Sequence, residues 1–183
     1  TDEIPPAWHA EISPLDELWV PSEFCAQAFE RATDVPVRVV PHPVSALEDG
    51  PRELPGVPAH CFVFLAVFEW SDRKNPDGLV RAFGRAFSGR SDVALLLKIG
   101  CRFRQTERRV LAIIDEALGR GRRPAVYVCF DELSPRALAR LFRRADAYVS
   151  LHRAEGFGLT LAEAMAGGKA VVTTGYSGNL QYM

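Results

Sequence analysis

From Cys61 onward, short unbroken apolar runs alternate with stretches whose apolar residues recur every three or four positions. The runs CFVFLAVF (61–68), DVALLLKI (92–99), AVYVCF (125–130), DAYVSL (146–151) and KAVVTT (169–174) predict strands. Where such a run shows no polar alternation, it fits a strand covered on both faces. Between the runs, NPDGLVRAFGRAF (75–87), TERRVLAIIDEAL (106–118), SPRALARLFRRA (134–145) and LTLAEAMAGG (159–168) predict helices. Asn75 and Ser134 stand as N-caps, each followed by proline at the first helical position, and glycine stops the last helix. The apolar faces carry Leu79, Val80, Phe83 and Phe87; Val110, Ile113, Ile114 and Leu118; Leu138, Leu141 and Phe142. Strand–helix alternation with short connections predicts an α/β fold with a doubly wound parallel sheet.

The first 43 residues are organised differently. DELWV (16–20) and PVRVV (36–40) predict strands, and SEFCAQAFERAT (22–33) between them predicts a helix capped by Ser22. Pro41, Pro43, Pro51, Pro55 and Pro58 then crowd a polar stretch. Residues 1–43 therefore read as the tail of a preceding Rossmann-like domain, 44–60 as an interdomain linker, and 61–183 as a ligand-binding domain truncated at its C-terminus. With no initiator Met, the chain is expected to be a piece of something longer.

Composition narrows the function. At roughly 100–200 residues per domain, length allows one domain or one and a fraction. Lys and Arg number 22 against 23 Asp and Glu, so the net charge of −1 supplies no electrostatic footprint for nucleic acid or an acidic membrane. The cysteines Cys25, Cys61, Cys101 and Cys129 form no CxxC pair and read as reduced thiols in a reducing compartment. No signal peptide opens the chain and no apolar run is long enough to span a bilayer, so a cytoplasmic location is expected. Only Lys74, Lys98 and Lys169 are lysines, which draws attention to each.

In an open parallel sheet, ligands bind beyond the carboxyl ends of the strands. That places candidate chemistry in loops 68–74, 100–104, 130–133, 151–158 and 175–178. Arg73 and Lys74 immediately precede a helix, where cations oppose the helix dipole unless an anion lies between. With backbone N–H groups they would make a phosphate cradle, and the bland alternative is two solvated side chains. In LHRAEGFGLTLAEAMAGG (151–168), Gly156 and Gly158 let backbone approach a ligand, and the following helix offers a second anion contact. The structural alternative for Glu163 is a capping box with Thr160, and for Glu155 a pair with Arg153. The seven arginines between Arg102 and Arg123 are interleaved with acids and read as a solvated face. His9, His42, His60 and His152 lack metal-ligand spacing, and only His152 lies in a ligand loop. Trp70 would stack on a base or sugar, or anchor packing.

The segment 145–179, with EGFGLTLAE at its centre, resembles the family-four retaining glycosyltransferases of the two-domain GT-B fold and matches their E-x7-E motif. DELWVPSEF, VVPHPV, the RKNP helix start and ADAYVSL look like further landmarks of that family. The resemblance implies that residues 61–183 bind a nucleotide-diphosphate sugar as donor. It also implies that the N-terminal domain, nearly all of it absent here, binds the acceptor: a glycan, a lipid or a small molecule. Lys74 and Arg73 would hold the diphosphate, Glu163 the ribose, and Glu155, as the catalytic residue, the donor sugar near the reacting carbon. Gly156, Phe157, Gly158, Leu159 and Thr160 would complete the donor site, with Phe130 to Leu133 flanking the base. No cofactor or metal is implied, since two cations and a helix N-terminus can stabilise a leaving diphosphate. Neither a nucleic-acid partner nor a transmembrane segment is implied, and peripheral membrane association is left open for the full-length protein. Two positions depart from the family: its usual arginine falls near Glu69, and Gln181 stands where an acid is common. The competing classes are a noncatalytic nucleotide-binding module and another GT-B enzyme, such as an epimerase or a phosphorylase-like protein. The segment alone is expected to be inactive.

Overall fold

The computed structural model describes residues 3–45, 50–100 and 104–183. The chain forms two compact units, each discontinuous in sequence: Thr1–Val44 with Ala154–Ala162 and Gly175–Met183, and Ser45–Arg153 with Glu163–Thr174.

In the first unit a 3-10 turn at Pro6–Trp8 leads into a short helix, α1 (His9–Ile12), which the sequence pattern did not predict. Strands β1 (Leu18–Val20) and β2 (Val37–Val39) pair in parallel, with Leu18 opposite Val37. Helix α2 (Glu23–Glu30) connects them, and the Ser22 hydroxyl accepts from Cys25 N–H at 3.3 Å as the expected N-cap. Ile12, Val20, Ala26 and Ala28 are buried, while Trp19 is exposed. The unit closes with a 3-10 turn at Gly178–Gln181.

The second unit is the predicted doubly wound sheet. Its strands are β3 (Phe62–Glu69), β4 (Val93–Gly100), β5 (Ala125–Cys129), β6 (Ala147–Ser150) and β7 (Ala170–Thr173). All pair in parallel in the order β5-β4-β3-β6-β7. The helices are α3 (Pro76–Ala86), α4 (Arg104–Leu118) and α5 (Pro135–Arg144). Helix α6 (Leu159–Ala166) begins in the first unit and ends in the second. The predicted faces are buried: Leu79, Val80, Phe83, Val110 and Ile114 join Leu95, Leu97 and Ile99 in one core, with Phe87 and Leu118 half-buried at its rim. Each such side chain contributes about 1.5–3 kcal/mol. Ser134 caps α5 as expected, accepting from Ala137 N–H at 3.3 Å. At the amino ends of the strands lies a residue the pattern did not flag. Arg144 is buried and donates to the carbonyls of Pro58 (2.7 Å) and Cys61 (2.8 Å), with Asp146 as its counter-charge at 3.4 Å. Among the described residues, no helix is long and apolar enough to cross a membrane.

Candidate functional site

The strand order has one reversal. From β3 the chain moves outward through β4 and β5, then returns to place β6 on β3's other side. The crevice at the carboxyl ends of β3 and β6 is thus the switch point, where open α/β sheets bind ligands. The β3–β6 ladder covers only Phe64 with Ala147 and Leu65 with Tyr148. Beyond it the buried Tyr148 hydroxyl takes over, accepting from Val67 N–H (3.3 Å) and donating to Val67 O (3.2 Å). The strands can separate there without leaving Val67 unsatisfied.

Arg73 and Lys74 lie in this crevice, in a 3-10 turn (Asp72–Lys74) between β3 and α3. Arg73 is exposed and Lys74 half-buried. The loop is tied to the one after β6: Arg153 N–H donates to Arg73 O at 2.8 Å, and Asn75 Nδ2 donates to Leu151 O at 3.0 Å. Asn75 does not cap α3 with its side chain as the sequence suggests. It takes φ 51°, a left-handed conformation asparagine tolerates, and its amide serves the loop tie. Two of the loop's backbone N–H groups are engaged, Lys74 and Asn75 donating to Ser71 O and Asp72 O, and Pro76 has none. Trp70 is half-buried against Phe68 and the core, which makes it a packing anchor. His152 is also buried, its Nδ1 3.1 Å from Ser150 Oγ.

Cavities flank the sheet. One of about 500 Å³ opens beyond β5 and is lined by Glu107, Arg108, Leu111, Phe130 and Asp131 among others. A larger one, about 620 Å³, lies at the amino ends of β3 and β6 among Arg52, His60 and Arg144. The open-sheet rule favours the carboxyl ends, and the guanidinium of Arg144 is already engaged by two backbone carbonyls. Of the loops singled out in the sequence, 100–104 lies partly outside the described residues.

In the first unit, Glu155 and the loop after it are held from both sides. Ser177 Oγ accepts from Glu155 N–H (2.8 Å), Gly178 N–H donates to Glu155 O (2.9 Å), and Ser22 Oγ donates to Gly156 O (2.6 Å). Glu155 is buried. Phe157 packs its ring on His42 (5.3 Å) and Tyr182 (5.0 Å), so only its backbone is available to a ligand. Gly158 takes φ 82°, and a Cβ there would lie 2.9 Å from Tyr182 Oη, so this glycine is required by conformation and packing together. Its carbonyl accepts from Ala162 N–H (3.1 Å), making Gly158 the cap residue of α6. Thr160 therefore sits inside the helix, and the capping box with Glu163 does not form. Leu159 is exposed at the helix start. Gln181, the position departing from the family's acid, accepts from Glu23 N–H at 2.9 Å and so satisfies the first turn of α2. Sequence reasoning missed Ser177 and Gly178; only their small size in loop 175–178 could have flagged them.

Glu163 is half-buried in α6, and desolvation raises its carboxyl above the usual 4.5. The folded state then binds this proton more tightly than the unfolded chain. The contribution favours the fold below the ordinary carboxylate value and is lost as pH rises through the raised one. Glu163→Gln should therefore be more stable than wild type at pH 7, with the difference shrinking toward pH 4. Urea unfolding at both pH values checks this, and equal differences would contradict it.

A parallel five-stranded sheet flanked by helices in this order defines an α/β protein of the GT-B type. The chain belongs to the glycosyl transferases group 1 family, whose model matches residues 56–183. Similar solved structures include sucrose-phosphate synthase from Thermosynechococcus elongatus, at 24% identity and TM-score 0.72 over 93% of this chain and 43% of that one. HepE from Anabaena in complex with UDP-glucose matches at 19% identity and TM-score 0.71 over 92% of this chain and 47% of that one. A UDP-forming trehalose-phosphate synthase from Burkholderia xenovorans matches at 15% identity and TM-score 0.69, over 96% and 50%. The chain thus spans about half the length of these structures or less, and the likeness is one of fold. No curated protein matches.

Proposed function

We propose that this chain carries the donor-binding part of a retaining, family-four glycosyltransferase that moves a sugar from a nucleotide-diphosphate donor to an acceptor. The observation that carries the reading is the switch-point loop, where Arg73 and Lys74 are presented on a turn hydrogen-bonded to the loop after β6. A leaving diphosphate needs positive charge as the sugar–phosphate bond breaks, and this loop supplies it without calling on a metal. Arg73 and Lys74 meet the diphosphate, Glu163 the ribose, and Glu155 the donor sugar. Gly156 to Thr160 supply backbone contacts, and the base lies near Phe130. In domain terms, residues 1–43 belong to the acceptor-side domain, 44–60 to the linker and 61–183 to the donor-side domain. UDP-glucose is the complexed donor in the HepE structure, which makes uridine donors the first to try.

Calorimetry with UDP, GDP and their common sugars tests the reading. Lys74→Ala should weaken nucleoside diphosphate binding roughly tenfold or more, the worth of a charged hydrogen bond at ~1.5–3 kcal/mol. Unchanged affinity in a folded variant would remove the phosphate role. Tight diphosphate binding with no sugar transfer in the full natural protein would favour the noncatalytic module.

A further inference from the structure

Two non-glycine residues among those described have positive φ. Asn75 sits in the left-handed region, which asparagine tolerates. Ser177 is different, at φ 80° and ψ −154°, a region essentially reserved for glycine. A glycine would sit there without strain. What serine adds is a hydroxyl, and that hydroxyl is buried and engaged: it accepts from Glu155 N–H at 2.8 Å and lies 3.4 Å from Asn179 Oδ1. The neighbouring Gly178 N–H holds the carbonyl of the same residue at 2.9 Å. Both main-chain polar groups of Glu155 are therefore fixed by two consecutive residues 22 and 23 positions away in the chain.

We infer that Ser177 is a positioning residue: its strained backbone aims a hydroxyl at Glu155 N–H and so sets the direction from which the Glu155 carboxylate leaves the main chain. The inference rests on the reading of Glu155 as the group that meets the donor sugar. Strain is retained at a position when the surrounding structure over-determines it, and here the over-determination ends on one residue, Glu155, through the two peptide groups that flank it. Misplacing a reacting group by a fraction of an ångström lowers turnover while leaving ground-state binding of the nucleotide untouched.

The test uses Ser177→Gly, which removes the hydroxyl and relieves the strain, so the variant folds. In the full natural protein, exchange of the Glu155 amide hydrogen, read by NMR, should become several-fold faster in Ser177→Gly, a measurement that needs no donor. Turnover of radiolabelled UDP-glucose and GDP-mannose, counting both transfer and hydrolysis, should fall roughly 10- to 100-fold in kcat with KM little changed. In a Glu155→Ala background, Ser177→Gly should cost nothing further, because the group it positions is gone. Losses that multiply in the double variant, or wild-type kcat in Ser177→Gly, would overturn the inference. Unchanged amide exchange would overturn it independently of any catalysis. If Glu155→Ala itself turns over normally, the reading of Glu155 fails instead, while the amide exchange still reports whether Ser177 holds that peptide.

Discussion

Gly178→Ala should destabilise the chain by ~3 kcal/mol or more, because the added methyl has no space and no soft neighbour to displace. A Cβ at this position would overlap the carbonyl of Gly156 and come within 2.8 Å of Glu155 O, both main-chain atoms. Relief requires moving one segment off the other, which stretches the bond from Gly178 N–H to Glu155 O. The strictest demand for glycine thus falls on a residue outside the glycine-rich motif. Gly156, inside the motif, is the control. A Cβ there meets Cys25 Sγ at 3.7 Å and Pro21 Cγ at 3.9 Å, ordinary contacts, so Gly156→Ala should cost less than about 1 kcal/mol. Urea or thermal unfolding of the two variants checks the contrast. Equal losses would mean that the loop yields and the packing at Gly178 is soft.

Glu155→Ala should lower sugar transfer in the full natural protein by roughly 10²–10³-fold, the range for removing one preorganised polar group from a reacting centre. Binding of UDP without its sugar should stay within about twofold, since the carboxylate is assigned to the sugar and removes only a transition-state contact. The structural basis is the unusual expense devoted to this residue: a buried carboxylate whose N–H and C=O are both held by a turn containing a strained serine. Steady-state kinetics with a radiolabelled donor, together with calorimetry on UDP, separates the outcomes. Parallel loss of UDP binding would mean that Glu155 shapes the loop and does not act on the sugar.

Much of this protein was legible along the chain. The alternation of unbroken apolar runs with amphipathic stretches specified the parallel α/β sheet. The caps Ser22 and Ser134 formed where expected, because a cap is a contact between residues three apart. Leu79, Val80, Phe83, Val110 and Ile114 turned inward as their spacing required, since helical periodicity leaves one face to bury. The strand pattern alone, through the sheet-end rule, singles out the loop that carries Arg73 and Lys74.

Other features depended on partners far away in the chain. Strand order, and with it the switch point between β3 and β6, follows from pairing Leu65 with Tyr148, a choice no local pattern encodes. Asn75 looked like a cap and instead reaches Leu151, 76 residues on. Thr160 looked like a cap and lies inside α6, because Gly158 could adopt the positive φ that starts the helix earlier. Arg144, which no local pattern singles out, holds the carbonyls of Pro58 and Cys61. Gln181 reaches Glu23 across 158 residues. The division has a physical cause. Periodicity and capping report on neighbours within about one helical turn, or on the average polarity of a face. Satisfying a particular buried N–H or carbonyl is decided by whichever group the tertiary structure brings within hydrogen-bond reach, and that pairing leaves no mark on the residues between.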